Sequence, residues 1–344
     1  MRAPDFFLEN LYQKTVSKLP VEYDESWKWN GIELFCQLIG HFPTTKEEEL
    51  NSKVIEKTEK EEYSRIRVEI TTLDNLIMPT YILIPKKNTN SKFPAVLALH
   101  GHGFGSKEIV GLNVDGTEND YDPGIHQNCA IELVKKGMVV VAPELIGFGD
   151  RKLVRDTHSD NQNQNSCFAI ASQLLLMGKT LAGLRVFECR KVLDFIETIN
   201  EVDPDRIGCF GFSGGGLVAA FTSIVDQRIK ATVLSGYTNT FKGSIMERNH
   251  CLDNYIPGVL QLGEMPELIG LIAPRPLFIE SGMGDPLFPV KHVKEAFEVL
   301  THIYEKFNAV NSLNYHLFEG EHEICGEKSY EWLYHTLLFA KNST

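Results

Sequence analysis

The sequence of 344 residues has no apolar run that approaches the roughly 18 residues needed to cross a membrane as a helix. It has no cluster of lysine and arginine either, and 34 basic against 46 acidic residues give a net charge of −12. These absences argue against a membrane or a nucleic acid as partner. The first residues, MRAPDFFLENLYQK, lack the apolar core and cleavage site of a secretory signal, so we expect a cytoplasmic protein.

The cysteines lack the spacing of a disulfide framework or a zinc site. They are odd in number, and no two of them form a C-x-x-C pair. We expect reduced thiols at all seven: Cys36, Cys129, Cys167, Cys189, Cys209, Cys251 and Cys325. His100 and His102 could begin a metal site, but no further histidine, cysteine or carboxylate completes a set at the usual spacing. The sequence therefore predicts no metal and no organic cofactor.

The first third of the chain changes its hydrophobic period. The first 50 residues hold two helix-like stretches, the second ending at Gly40-His41-Phe42-Pro43, and we assign residues 1–60 to a helical N-terminal extension. Residues 64–70 and 77–84 alternate polar and apolar side chains, with a turn near Asp74-Asn75 between them. This alternation predicts an antiparallel hairpin with one face in solvent.

Short, nearly continuous apolar runs follow, as expected for strands that are covered on both faces. They are residues 95–99, 138–142, 207–212, 231–234 and 277–279. Helical segments lie between or after them, at residues 125–136, 168–199, 217–224 and 290–307. The alternation predicts an α/β fold with a mostly parallel central sheet and helices on both faces. We assign residues 61–344 to this one domain, with a lid-like insertion at residues 237–270.

The sequence RIGCFGFSGGGLVAA places Ser213 in a Gly-x-Ser-x-Gly motif. A short apolar strand precedes Ser213, and a helix of small residues follows it. A serine hydroxyl is a poor nucleophile, so a hydrolase places it on a sharp turn, near a base and backbone donors. Gly211 and Gly215 permit the strained turn and the close passage of strand and helix. Ser213 is therefore the predicted nucleophile.

A serine nucleophile needs a base, and the base needs a carboxylate that orients it. In folds with this motif the chain order is serine, acid, histidine, each after a strand. Asp285 follows the strand at 277–279 and a turn at Gly282 and Gly284, and His322 follows the next strand. We predict His322 as base and Asp285 as its acid, and Glu280 remains the main alternative acid.

Two backbone N–H groups are needed to bind the oxyanion of a tetrahedral intermediate. The sequence predicts Gly214, the residue after the nucleophile, as one donor. The second is expected from the glycine-rich segment HGHGFG after the strand at 95–99, where the main-chain N–H of His102 is the best candidate.

With these residues identified, the chain resembles the α/β-hydrolase superfamily and, within it, the dienelactone-hydrolase-like and acetyl-xylan-esterase-like branch. The resemblance covers roughly residues 60 to 340. It rests, in order, on HGHGFG, PELIGFGDR, RIGCFGFSGGG, NYIPG, LIAPRPLFIESGMGDPLFP and GEH. Dienelactone hydrolases proper use a cysteine nucleophile, whereas the motif here carries Ser213, which favours ordinary ester hydrolysis over lactone specificity.

We therefore expect a serine esterase that acts on a small-molecule ester, and the resemblance to acetyl esterases implies short acyl groups. Two alternatives remain from the sequence. The first is a serine peptidase of the oligopeptidase type, although about 60 residues before the first strand cannot form a propeller domain. The second is a non-catalytic binding protein with a hydrolase fold. The sequence leaves open whether the chain forms a homo-oligomer.

Overall fold

The computed structural model describes residues 3–19, 22–42, 51–73, 76–86, 91–157, 161 and 163–340. The strands are β1 (Ser52–Glu59), β2 (Tyr63–Leu73), β3 (Leu76–Pro85), β4 (Phe93–Leu99), β5 (Val139–Pro143), β6 (Val202–Phe212), β7 (Ile229–Ser235), β8 (Leu277–Gly282) and β9 (Leu313–Phe318). The helices are α1 (Asp5–Val16), α2 (Glu25–Ile39), α3 (Ser106–Ile109), α4 (Cys129–Lys136), α5 (Cys167–Leu176), α6 (Leu181–Ile196), α7 (Gly214–Val225), α8 (Met265–Gly270), α9 (Val290–Lys306) and α10 (Ser329–Phe339).

The nine strands form one sheet in the order β1-β2-β3-β5-β4-β6-β7-β8-β9. All neighbours from β5 to β9 pair in parallel, and β1, β2 and β3 add an antiparallel edge. The predicted hairpin is confirmed by β2 and β3, in which Ile66 pairs with Ile82. Its predicted turn at Asp74-Asn75 lies outside the described residues. The α/β fold with a mostly parallel sheet is confirmed.

Helices cover both faces of the sheet, and the side chains of β4 show why this strand reads as a continuous apolar run. Ala95, Leu97 and Leu99 belong to the core on the side of α6 and α7. Val96 and Ala98 belong to the core on the side of α4 and α10. Because neither face of the strand is exposed to solvent, the residues on both faces are apolar and the sequence does not alternate.

The N-terminal boundary differs from the prediction. Residues 1–60 were expected to be helical, and α1 and α2 lie there, but β1 lies there too. β1 pairs with β2 at the edge of the sheet, and seven of its eight residues are exposed. An edge strand in solvent needs no apolar face, so its sequence SKVIEKTE carries no alternation that would predict it.

The helix expected over residues 168–199 is also different, because the chain divides it into α5 and α6. Gly178 adopts φ +68° between them, and the side chain of Thr180 accepts a hydrogen bond from Gly183 N at 2.9 Å. A left-handed glycine and a threonine N-cap end one helix and begin the next. Within the described residues no single helix is long and apolar enough to span a membrane. Among these residues, only α5 and α6 taken together have a sufficient length and apolar composition, and they are bent by 101° at their junction.

Candidate active site

Ser213 lies at a sharp turn between β6 and α7. Its backbone has φ +52° and ψ −120°, an unfavourable conformation for a residue with a side chain. Ser213 N donates a hydrogen bond to Ser235 O at 2.9 Å, which fixes the turn against β7. A side chain at Gly211 would overlap the backbone of Gly215, and one at Gly215 would overlap the carbonyl oxygen of Leu99. The motif therefore has glycine where the strand and helix pass closest.

The structure brings the three predicted triad residues together, although more than 100 residues separate the serine from the histidine. His322 Nε2 lies 2.9 Å from Ser213 Oγ, and His322 Nδ1 lies 2.7 Å from Asp285 Oδ2. Asp285 follows β8 and His322 follows β9, so both lie at the carboxyl edge of the sheet with Ser213. The distances suit proton transfer from the hydroxyl to an imidazole that a carboxylate orients.

Aromatic rings and backbone amides hold the predicted base and its predicted acid in place. The imidazole of His322 is stacked on Phe288, with ring centroids 5.7 Å apart, and also contacts Phe212 at 5.0 Å. Asp285 Oδ1 accepts hydrogen bonds from Leu287 N at 2.8 Å and Phe288 N at 2.9 Å. Burial disfavours the charged carboxylate, but His322 and these two amides outweigh it and hold the pKa of Asp285 below its usual range.

Glu280, the alternative acid, is fully buried on β8 and has other partners. Its carboxylate accepts hydrogen bonds from Ser235 Oγ at 2.9 Å and from Ser329 Oγ at 2.8 Å. The backbone N–H groups of Cys325 and Gly326 donate to it as well, each at 3.0 Å. Glu280 therefore fastens β7 and the start of α10 to the loop that follows His322, and its oxygens are already in use.

The two residues predicted to supply the oxyanion donors line the same cavity as Ser213. This cavity has a volume of about 310 Å³, and its wall includes His102, Ser213, Gly214 and His322. Within the described parts of the chain, the backbone N–H groups of His102 and Gly214 donate to no other group. Both amides are thus available to a bound oxygen, and their role as donors remains a prediction.

The loop that carries His102 is held by residues that the sequence did not single out. His126 is fully buried, and its Nε2 accepts a hydrogen bond from Gly101 N at 3.0 Å. Its Nδ1 lies 2.5 Å from Glu108 Oε2, and Glu108 Oε1 accepts a hydrogen bond from Phe104 N. One histidine and one glutamate thus tie the loop down on both sides of His102.

A second buried pair supports the same loop. His100 Nε2 accepts a hydrogen bond from Leu145 N at 3.1 Å, while its Nδ1 lies 2.8 Å from Gly101 O. Burial lowers the pKa of His100 to about 3, so the ring stays neutral. Glu144 accepts hydrogen bonds from both the backbone N–H and the hydroxyl of Ser106, at 3.0 and 2.9 Å. No local sequence signal predicts these pairings, because the partners come from different loops.

The chain matches the model of a known protein family. A model of the Abhydrolase family matches residues 14–323. The chain belongs to the Abhydrolase family. This membership agrees with the nucleophile turn, with the parallel sheet and with the resemblance drawn from the sequence motifs.

Among curated proteins, the Abhydrolase chain is similar to the putative hydrolase YtaP of Bacillus subtilis strain 168. They are 28% identical over 277 residues, which cover 78% of this chain and 85% of YtaP.

Two solved structures show the same fold as this Abhydrolase chain. A putative acetyl xylan esterase from Bacteroides fragilis superposes with a TM-score of 0.76 at 18% identity, covering 92% of this chain and 83% of the other. The glucuronoyl esterase from Solibacter usitatus superposes with a TM-score of 0.65 at 17% identity, covering 94% of each chain.

Proposed function

We propose that this protein is a serine esterase that hydrolyses carboxylic esters of short acyl groups through an acyl-enzyme on Ser213. The hydrogen-bonded series from Ser213 through His322 to Asp285 at the wall of a cavity carries this proposal. The names of several structural neighbours, which describe esterases, support the choice of an ester as substrate.

The geometry supplies each proton transfer that ester hydrolysis requires. Ser213 Oγ attacks the acyl carbon while His322 Nε2 accepts the hydroxyl proton, and the carbonyl oxygen becomes an oxyanion near the N–H groups of His102 and Gly214. Collapse of this intermediate expels the alcohol, which takes the proton from His322. Water then attacks the acyl group by the same route and regenerates Ser213. Asp285 keeps the proton of the imidazole on Nδ1 throughout.

The cavity favours a small substrate. About 310 Å³ accommodates a short acyl group together with a small alcohol or a sugar. Its wall combines the apolar side chains of Leu287 and Phe288 with the polar groups of Asn249 and His250. His250 Nε2 lies 3.0 Å from Ser244 Oγ. Burial lowers the pKa of His250, so the ring that faces the substrate is neutral. These polar side chains suit the hydroxyl groups of a sugar or another small alcohol.

The experiment is a panel of p-nitrophenyl esters of increasing acyl length, an acetylated sugar and a p-nitroanilide. We expect kcat/KM to be highest for acetyl or propionyl esters and to fall for acyl chains that exceed the cavity. The anilide should react at least about 10³-fold more slowly than the p-nitrophenyl ester, because p-nitroaniline leaves less readily than p-nitrophenolate. Equal turnover of the amide would favour the peptidase alternative, and no turnover of any ester would refute the proposal.

Acidification should lower kcat/KM for the acetyl ester. The pKa of Asp285 lies below its usual range, so its carboxylate stays charged above about pH 5. Over a measured range of about pH 8 to 5, a fall in rate is therefore independent of Asp285, and we expect it because only a neutral imidazole can accept the proton of Ser213. A stopped-flow or initial-rate pH profile measures this. A flat profile over the same range would show that no base of this type acts in the rate-limiting step.

Replacement of His126 by alanine should lower kcat by about 10- to 100-fold with a smaller change in KM. The variant leaves the N–H of Gly101 without its acceptor, so the loop that carries the predicted donor of His102 shifts. Initial rates with the acetyl ester, together with circular dichroism of the folded variant, measure the effect.

The conservative variant His126→Gln offers the matched control, because its side-chain oxygen can accept the same hydrogen bond. We expect it to recover most of kcat. His335 on α10 is exposed and does not line the active-site cavity, so His335→Ala should behave like the wild type. If His126→Ala retained full kcat while folded, the loop would need no such support.

A further inference from the structure

Four potential metal ligands from three separate segments meet beside the active site. They are the imidazole of His102, the thiols of Cys167 and Cys251 and the carboxylate of Asp253. One ligand atom from each lies within 4.8 Å of every other. His102 comes from the loop after β4, Cys167 from the first turn of α5, and the last two from the insertion at residues 237–270. More than 60 residues separate the segments, so sequence spacing could not reveal this set.

We propose that these four side chains form a binding site for a divalent cation of the zinc type. Zinc prefers four ligands from cysteine, histidine and carboxylate, with bonds of about 2.0–2.3 Å and thus ligand atoms roughly 3.3–3.8 Å apart. The set therefore needs only a small contraction to close around an ion. Four protein ligands leave no position for water, so the ion is structural and takes no part in the chemistry of Ser213.

The charges of the cluster balance with a divalent ion. When a metal binds, both thiols lose their protons, so the two thiolates and the carboxylate of Asp253 carry three negative charges. The buried guanidinium of Arg185 carries one positive charge. Arg185 Nη1 lies 2.5 Å from Asp253 Oδ2, and Arg185 Nη2 lies 3.0 Å from Cys167 Sγ. A cation of charge +2 makes this buried group neutral, and Arg185 then orients two ligands from outside the coordination shell.

The state of the ligands and the path to them both suit the site. The ring of His102 has a buried Nε2 without a hydrogen-bond partner in the described chain. His102 and Cys251 also line the active-site cavity, so an ion can reach the cluster from solvent.

The ion would join the insertion and α5 to the oxyanion loop. The ring of His102 lies against Gly214, since a side chain on Gly214 would come within 2.9 Å of its Nδ1. Coordination of this ring fixes the backbone of His102 relative to Gly214, and with it both predicted oxyanion donors. The metal site depends only on these side chains and stands independently of the esterase activity.

The test is cobalt substitution of the full-length protein, kept reduced with a phosphine and freed of metal by a chelator. Titration with Co²⁺ should give one equivalent bound per chain, a thiolate-to-cobalt charge-transfer band in the near ultraviolet and strong visible bands typical of tetrahedral coordination. Zn²⁺ should displace the cobalt and abolish the bands. Elemental analysis of protein purified from cells grown with added zinc should show one zinc per chain.

Variants assign the ligands. Cys251→Ser and Cys167→Ser should each lower the charge-transfer band by at least about half, and Cys36→Ser, at an exposed cysteine on α2, should leave it unchanged. Less than about a tenth of an equivalent of bound metal in the reduced wild type would overturn the proposal even if the variants fail to fold. A Cys167–Cys251 disulfide in the non-reduced digest of freshly purified, metal-free protein would also overturn it, because the pair would then be a redox element.

Discussion

Replacement of Ser213 by alanine is expected to lower kcat for p-nitrophenyl acetate by about 10⁴-fold or more. The covalent step disappears with the hydroxyl, while the cavity and the predicted oxyanion donors remain. The KM should change little, because Ser213 has a small side chain at the wall of the cavity. Initial rates of the purified variant measure the loss, and its thermal unfolding should resemble that of the wild type.

Ser26 on α2 provides a matched control, since it is exposed and its hydroxyl accepts a hydrogen bond from Asn30. Ser26→Ala should keep the wild-type rate. A folded Ser213→Ala variant with more than about a tenth of the wild-type kcat would contradict the serine mechanism.

Asp285→Asn is expected to lower kcat by about 10³- to 10⁴-fold. The amide of asparagine can donate a hydrogen bond to Nδ1 of His322, which places the imidazole proton on Nε2. A protonated Nε2 cannot accept the proton of Ser213. The geometry at His322 Nδ1, 2.7 Å from Asp285 Oδ2, leads to this expectation. Steady-state kinetics give the loss, and nuclear magnetic resonance of the ¹⁵N-labelled imidazole reports the change of tautomer.

Glu280→Gln is the comparison that separates the two acids. The carboxylate of Glu280 accepts four hydrogen bonds, which hold Ser235, Ser329 and the loop after His322. The variant should therefore lose stability more than catalytic rate. We expect less than a tenfold loss of kcat and a decrease of about 1–3 kcal/mol in the free energy of unfolding. The reverse ranking of the two variants would mean that Glu280 orients the base.

The nucleophile turn could be predicted because its whole signal is local. Gly211, Ser213 and Gly215 lie within five positions, and the strand before them and the helix after them are both strongly apolar. Asp285 and His322 required only the chain order of the motif and the turn that follows each strand. The structure brings all three together at the edge of the sheet. Ser213→Ala, Asp285→Asn and the pH profile test their catalytic roles.

Other features have no local signal. β1 is exposed at the sheet edge, so its sequence carries no apolar face, and it was assigned to a helical extension. The support of the oxyanion loop by His126 depends on a tertiary contact with Gly101, 25 positions away. The cluster of His102, Cys167 and Cys251 likewise exists only after folding, and this is why spacing alone suggested no metal.

The most direct test of the serine mechanism is covalent labelling with an alkyl p-nitrophenyl phosphonate, followed by intact-mass and peptide mass spectrometry. Attack by the activated serine expels p-nitrophenolate and leaves the phosphonyl group on oxygen. The serine mechanism predicts one adduct per chain, on Ser213 alone, with activity lost in proportion to labelling and no adduct in Ser213→Ala. Full labelling at another residue, or full activity after Ser213 is labelled, would contradict it.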